Sequence, residues 1–298
     1  MRETNTPKRA LVLGGKGFIG RHAVRHLERA GAQVTIGTRS PTTSASPVEE
    51  KHVLHKALSP ADWENAAKTY DVILNCVGIL RQRIGETYDA VHHRAPKAIA
   101  LACEATGTRF VHVSALGLSA TAKSRFLTSK HRGEEAIAHT SANWAIARIS
   151  LIDGEGGYGA AWLRGVARLP IFATPASALG EIAPLTAEDT GEALAQLCLA
   201  PDIELRLAEE RTFELGGEDH YTFTAYVQAL RSRFSEKQAI CIKVPGLIAR
   251  LGAHLCDVFH FSPFSFGHWE LLCYNNVPSP NRLPELLQRK PTPVFPKS

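Results

Sequence analysis

Apolar residues in the first half of the chain come in short blocks separated by stretches of helical spacing. Residues 10–13 are an unbroken apolar run closed by Gly14-Gly15, the pattern of a strand buried on both faces. From 17 to 30 the period changes. Ile19, Ala23, Leu27 and Ala30 fall on one helical face, and Gly31 stops it. Residues 34–37 read as a second strand, 41–47 as an aperiodic Ser/Thr/Pro loop, 53–55 as a weak third strand and 60–68 as a short helix. Residues 71–77 are the strongest strand signal in the chain. Val91, Ala95, Ile99 and Ala102 then stripe a helix. Strands at 109–114 and 144–150 flank a helix at 124–139. This alternation predicts an α/β fold, a parallel sheet covered by helices on both faces.

Beyond about residue 151 the rhythm lapses. Residues 154–159 read as a Gly-rich loop. Residues 186–199 read as a helix, with Thr186 as N-cap and Asp189 in the first turn. A strand at 211–215 closes on Gly216-Gly217, and helices are expected at 222–231 and 245–259. The last stretch, 278–298, is Pro-rich and reads as a loose tail. The expected division is a dinucleotide-binding core over 1–150, a mixed segment over 151–277 that completes the sheet and forms a small lobe, and the tail.

The chain of 298 residues is 44% hydrophobic and 21% charged, which excludes wholesale disorder. Its 34 Lys and Arg against 29 Asp and Glu give +5, with no block of five like charges. That pattern points away from nucleic acid. The six cysteines, at 76, 103, 198, 241, 256 and 273, lie in apolar runs and form no close pair. Neither a disulfide framework nor a metal site is expected. Cys76 reads as inert core, with no fixed cation beside it in sequence. The polar start has no apolar leader segment, and no 18-residue apolar stretch occurs, so a cytoplasmic protein is expected.

The chemistry-bearing motifs follow the strands. Gly14, Gly17 and Gly20 form G-x-x-G-x-x-G between a strand and an amphipathic helix. Glycines there allow a tight turn and let backbone N–H groups approach a pyrophosphate at the helix start. Gly17 follows Lys16 where an ATPase-type phosphate loop would need Ser or Thr. After the second strand, positions 37–40 are Gly, Thr, Arg and Ser, with no acid to hold a ribose 2′-hydroxyl. Arg39 can instead pair with a 2′-phosphate, helped by Thr38 and Ser40, which favours NADP(H) over NAD(H). Asn75-Cys76-Val77-Gly78 ends the strongest strand, where backbone can cover an adenosine ribose.

With these motifs, FVHVSALG at 110–117 and Ser129-Lys130-His131-Arg132-Gly133-Glu134-Glu135 match in order and spacing the short-chain dehydrogenase/reductase superfamily, which the chain resembles over residues 8–217. The resemblance is to its extended or atypical, epimerase/dehydratase-like branch. That branch includes the nucleotide-binding accessory subunit of respiratory complex I, with NmrA-like sensors as cousins. It implies a doubly wound Rossmann fold with a small C-terminal α/β lobe. It also implies cofactor contacts from Gly14, Lys16, Gly17, Phe18, Ile19, Gly20, Thr38, Arg39, Asn75, Val77, Gly78, Ser114 and Lys130. In active members a Tyr four residues before the Lys is the general acid/base, and the Lys lowers its pKa and binds the nicotinamide ribose. Here Lys130 is present, but Phe126 stands at the Tyr position. Ser114 matches the polarising Ser, followed by apolar Ala115 and Leu116. A benzyl ring has no proton to give. The resemblance therefore implies a nucleotide-binding structural or sensor protein. The alternative is an active oxidoreductase or epimerase/dehydratase with a substitute donor, for which Tyr158 and His131 qualify by residue type.

His92-His93 stands where the family often has Asn and is read as surface or packing. The aromatic cluster at 259–266 is read as core of the small lobe, with a substrate wall and a partner or membrane-surface patch as alternatives. Expected partners are the cofactor, a small-molecule substrate, a respiratory complex or the inner-membrane surface, and a second copy meeting the helical face of residues 91–102.

Overall fold

The computed structural model describes residues 7–42, 46–201, 211–259 and 265–296, the last three of the 211–259 stretch in backbone only. The chain divides into two compact units, each discontinuous in sequence. One comprises residues up to Ser114 with Ser129–Arg148 and Glu188–Phe213. The other comprises Ala115–Thr128, Ile149–Ala187 and the chain from Glu214.

The first unit is built on a seven-stranded sheet. Its strands are β1 (Arg9–Leu13), β2 (Gln33–Thr38), β3 (Val48–Lys51), β4 (Val72–Asn75), β5 (Arg109–Ala115), β6 (Asn143–Ile149) and β11 (Thr212–Leu215). The order is β11-β6-β5-β4-β1-β2-β3, and the pairs from β3 through β5 are parallel. β2 and β4 flank β1 on opposite sides, so the order reverses there, and the crevice beyond the C-terminal ends of β1 and β4 is where ligands bind in such sheets. The helices are α1 (Phe18–Arg29), α2 (Glu64–Thr69), α3 (Ala95–Thr106), α4 (Arg125–Ala138) and α6 (Ala187–Leu199). Leu11, Leu13, Ile73, Ile99, Phe110 and Trp63 fill one side of the sheet. This is the expected doubly wound Rossmann architecture.

Three differences from the sequence reading have physical causes. The third strand is Val48–Lys51, not 53–55. As an edge strand carrying Glu49 and Glu50 it has no apolar signal, while the apolar 53–55 stretch is a turn that drops Leu54 into the core. The helix containing Val91 opens with a π-turn over Asp89–Arg94. Pro96 has no N–H to return to His92 O, and Gly133 packs against that carbonyl so closely that a Cβ would overlap it. The stripe Val91, Ala95, Ile99 and Ala102 is buried in the chain's own core, which removes it as a face for a second copy.

In the second unit, three two-stranded sheets pair β10 (Leu185–Thr186) with β7 (Ile152–Asp153), β12 (Tyr221–Thr222) with β9 (Glu181–Ile182), and β13 (Ile240–Val244) with β8 (Ile171–Pro175). The expected loop at 154–159 already begins a helix, α5 (Tyr158–Arg168). Helices Phe223–Arg231, Gly246–Phe259, Phe266–Leu272 and Leu283–Leu287 complete it. The first of these is capped by Thr222, whose Oγ1 accepts from Ala225 N–H. The Pro-rich stretch from 278 is packed rather than loose, because Leu283, Leu287 and Val294 are buried. Phe266 is also buried, stacked with His254 and Trp269, whereas positions 260–264 of the aromatic cluster lie outside the described residues.

Arg109, buried at the start of β5, donates to the carbonyls of Leu197, Cys198 and Ala200 at the C-terminal end of α6. A cation there satisfies the last orphan carbonyls of the helix and its negative pole. Arg109→Ala leaves them unpaired, and an equilibrium urea titration is expected to register a loss of about 2–4 kcal/mol.

Candidate functional site

The turn after β1 is built by exclusion of side chains. Gly14 takes φ +74, and a Cβ there would press on Val77 at 3.0 Å. Gly17 N–H donates to Gly14 O at 2.8 Å, and a Cβ on Gly20 would overlap the same carbonyl. α1 therefore starts at Phe18 directly beneath the turn. Its N-cap, Gly17, offers no side chain, and its first turn carries no acid. Arg21 N–H to Gly17 O is the first helical bond, which leaves the N–H groups of Phe18, Ile19 and Gly20 outside the helical ladder. Such an end favours an anion. Lys16 beside it holds the Glu49 carboxylate of β3 at 2.6 Å, and that contact keeps the Glu49 pKa low.

Arg39 follows β2 and is exposed, its guanidinium 3.7 Å from Glu86, which also faces His55. Ser40 N–H donates to Thr38 Oγ1. The loop after β4 is fixed from within. The fully buried Asn75 accepts from Val77 N–H at 3.0 Å through Oδ1 and donates through Nδ2 to His112 Nδ1 at 3.2 Å. Cys76 is half-buried, and desolvation raises the pKa of its thiol.

Around Gly78 the geometry gathers ionisable groups. A Cβ on Gly78 would lie 3.7 Å from His92 Nε2 and 3.9 Å from Lys130 Nζ. His92 Nε2 accepts from Ile79 N–H at 3.1 Å, so its proton sits on Nδ1, which donates to Ser129 Oγ at 3.0 Å. Tyr88 stacks on the His92 ring. Burial, reinforced by Lys130, depresses the pKa of His92 well below that of a free imidazole and that of His112 to about 3. Both rings are neutral. Lys130 is pulled down to about 8 by burial, with Glu134 opposing. Arg148 holds Glu134 at 2.7 Å. At the end of β5, Ser114 Oγ is buried with no hydrogen-bond partner among the described residues.

Phe126 lies in the first turn of α4, four residues before Lys130. Within the second unit its ring faces His268 and lies against Gly267, while Glu270 accepts from the N–H groups of Lys123 and Ser124 just before α4. Of the residues considered as substitute donors, Tyr158 is 65% exposed at the start of α5 and His131 pairs with Glu135 along α4. His93 pairs with Asp89. No group of three His, Cys, Asp or Glu among the described residues could hold a metal.

Sequence reasoning missed His112, Glu49 and Glu86, and it read His92 as surface or packing. The one available signal was the His92 position itself, where the family often carries Asn.

A family model described as NAD(P)H-binding matches residues 14–163. Ceramide reductase of Caulobacter vibrioides is 26% identical over 242 residues, 80% of this chain and 74% of that protein. NADH dehydrogenase (ubiquinone) 1 alpha subcomplex subunit 9, mitochondrial, of Mus musculus is 31% identical over 154 residues. That match takes in 49% of this chain and 41% of the relative, so the chain spans less than half of its length. Among solved structures, the NADPH-dependent quinone oxidoreductase of Escherichia coli complexed with NADPH gives a TM-score of 0.69 at 16% identity, covering 96% of this chain and 97% of that one. UDP-N-acetylglucosamine 4-epimerase from Bacillus cereus gives 0.59 at 16% identity, covering 89% and 95%. At these identities the solved structures speak to the fold.

The Lys130 ammonium has a measurable signature. Below pH 8 it is charged in both folded and unfolded chains, and the fold bears the full cost of burying it. Between pH 8 and the usual 10.5 the unfolded chain holds the proton that the folded chain has released, so this group's contribution to stability rises with pH. Lys130→Met is expected to be the more stable protein at pH 7, by up to about 3 kcal/mol. That advantage should shrink from pH 8 to 10.5 in urea midpoints measured across the range. An advantage independent of pH would contradict the assignment.

Proposed function

The chain belongs to the NAD(P)H-binding family, in the atypical, epimerase-like branch of the short-chain dehydrogenases/reductases, and from that premise we propose that it holds NADP(H) in preference to NAD(H) at a site lacking the usual catalytic phenol. The observation that carries the reading is the start of α1: a glycine turn with no room for a Cβ, under a helix end with neither a capping side chain nor an acid. A pyrophosphate fits there through the N–H groups of the first turn. Lys16 stands beside it, its ammonium paired with Glu49.

The 2′-phosphate is assigned to Arg39, with the hydroxyls of Thr38 and Ser40. The Glu86 contact at 3.7 Å is long for an ion pair, and a phosphate dianion offers the guanidinium a bidentate partner instead. Val77 and Gly78 would lie along the adenosine ribose, with the Asn75 amide holding their turn. Lys130 would donate to the nicotinamide ribose hydroxyls. The unpartnered Ser114 hydroxyl suits a substrate oxygen. When bound, the nicotinamide supplies or accepts a hydride. What this chain lacks at Phe126 is the proton that ordinarily accompanies it.

The observation that favours turnover is Lys130, whose ammonium releases its proton near pH 8. In that second reading the chain is an oxidoreductase whose Lys130 stands in for the missing donor.

A fluorescence titration with NADPH and NADH, wild type beside Arg39→Ala, tests the proposal. NADPH is expected to bind at least tenfold tighter, a margin of about 1.4 kcal/mol, and Arg39→Ala to erase that margin. Equal affinities would remove the NADP(H) preference and leave the dinucleotide site standing. Binding of neither would remove both.

A further inference from the structure

Three carboxylates lie along the C-terminal half of β2 and the residue just beyond it. Glu49 and Glu50 of β3 are in register with Ile36 and Gly37, and both have close partners. Glu49 holds Lys16 at 2.6 Å and accepts from Thr42 N–H at 2.7 Å. Glu50 accepts from the Tyr70 hydroxyl and faces His52 at 3.3 Å. Glu86 is held more loosely. Its side chain is only 14% exposed, yet one of its oxygens lies 3.7 Å from Arg39 and 3.6 Å from His55 Nδ1. Both distances are beyond those of a hydrogen bond. Among the described residues no other carboxylate lies within ion-pair reach of Arg39, which is 67% exposed.

The turn that carries Glu86 does not depend on that contact. Arg83 and Glu86 exchange backbone N–H···O bonds at 3.0 Å in both directions, and Gly85 takes φ +79 at the third position of the turn. Tyr88 ties the loop back, its hydroxyl donating to Leu80 O at 2.8 Å and its N–H to Gln82 Oε1 at 2.9 Å. The backbone thus fixes where the carboxylate is, between one arginine and one histidine, and only the side chain is left to choose between them.

An exposed ion pair at such a distance contributes little and yields readily. The charge of Glu86 stays in place all the same. A 2′-phosphate on Arg39 brings a dianion to a guanidinium that already faces a carboxylate. Repulsion of that kind amounts to about fivefold in affinity even at the dielectric of water. A carboxylate that turns from Arg39 to His55 gives up the guanidinium and keeps a partner.

We infer that Glu86 sets how strongly Arg39 discriminates between the two dinucleotides: it faces the guanidinium in the unliganded chain, opposes a 2′-phosphate there, and passes to His55 when the phosphate binds. The inference rests on the dinucleotide reading and names a specificity residue for that site.

The test is fluorescence titration with NADPH and NADH of wild type, Glu86→Gln, His55→Ala and the double variant. Glu86→Gln is expected to bind NADPH about fivefold tighter, with NADH changed less than twofold. His55→Ala is expected to weaken NADPH binding about threefold, and to have no effect once Glu86→Gln is present. That lack of additivity separates coupling from general damage to the loop. Thermal melts confirm that each variant is folded, and Glu86→Ser replaces Glu86→Gln if it is not. Unchanged NADPH affinity in Glu86→Gln overturns the inference. Weaker NADPH binding overturns it too, because the carboxylate would then be orienting Arg39 for the phosphate. Either result leaves the dinucleotide site standing. Equal affinity of wild type for the two nucleotides, with an NADPH preference emerging in Glu86→Gln, upholds the inference and removes only the preference proposed for the native chain. Binding of neither nucleotide removes both.

Discussion

Between β1 and α1 there is no space for a Cβ, and much of the first unit is arranged around that closeness. A side chain at Gly20 would enter the Gly14 carbonyl, and one at Gly14 would press on Val77. Backbone approach of this kind does two things at once. It aims the free N–H groups of α1 into the crevice, and it brings the loop after β4 against the glycine turn. Asn75 then fixes that loop from within, through Val77 on one side of its amide and His112 on the other. The crevice is thus framed mostly by main chain, with side chains acting as braces behind it.

The electrostatics of the same region are those of a site that keeps one cation and suppresses others. His92 and His112 are neutral, each with its tautomer fixed by a hydrogen bond. Lys130 is half-buried beside them with its charge partly offset by Glu134, which Arg148 neutralises in turn. Desolvation sharpens whatever interaction that ammonium makes with a ligand hydroxyl. On the proposed reading, Phe126 stands where the phenol whose acidity such a lysine tunes would be.

The sheet and the glycine turn were legible in the sequence because both depend on local patterns: apolar runs ended by glycine, and a change of period from two-sided burial to one helical face. β3 was not legible, because an edge strand with two glutamates carries no hydrophobic signal. The π-turn at Asp89–Arg94 depends on Pro96 and Gly133, which lie far apart in the chain. The same separation hid the site's supporting groups. Nothing near Asn75 announces His112, and nothing near Arg39 announces Glu86. The packed end of the chain was missed because proline content was weighed above Leu283, Leu287 and Val294.

Arg109 carries a consequence for the order in which the chain is made. Its guanidinium sits at the start of β5, but the carbonyls it bonds belong to residues 197 to 200, synthesised some ninety residues later. The first unit likewise takes in Glu188–Phe213. A nascent chain that has emerged only through β6 holds the sheet's apolar strands and an arginine with no helix end to cap. Until α6 arrives, that segment exposes surface which the finished protein hides, and a ribosome-bound intermediate of this length is the form in which a chaperone would find most to hold.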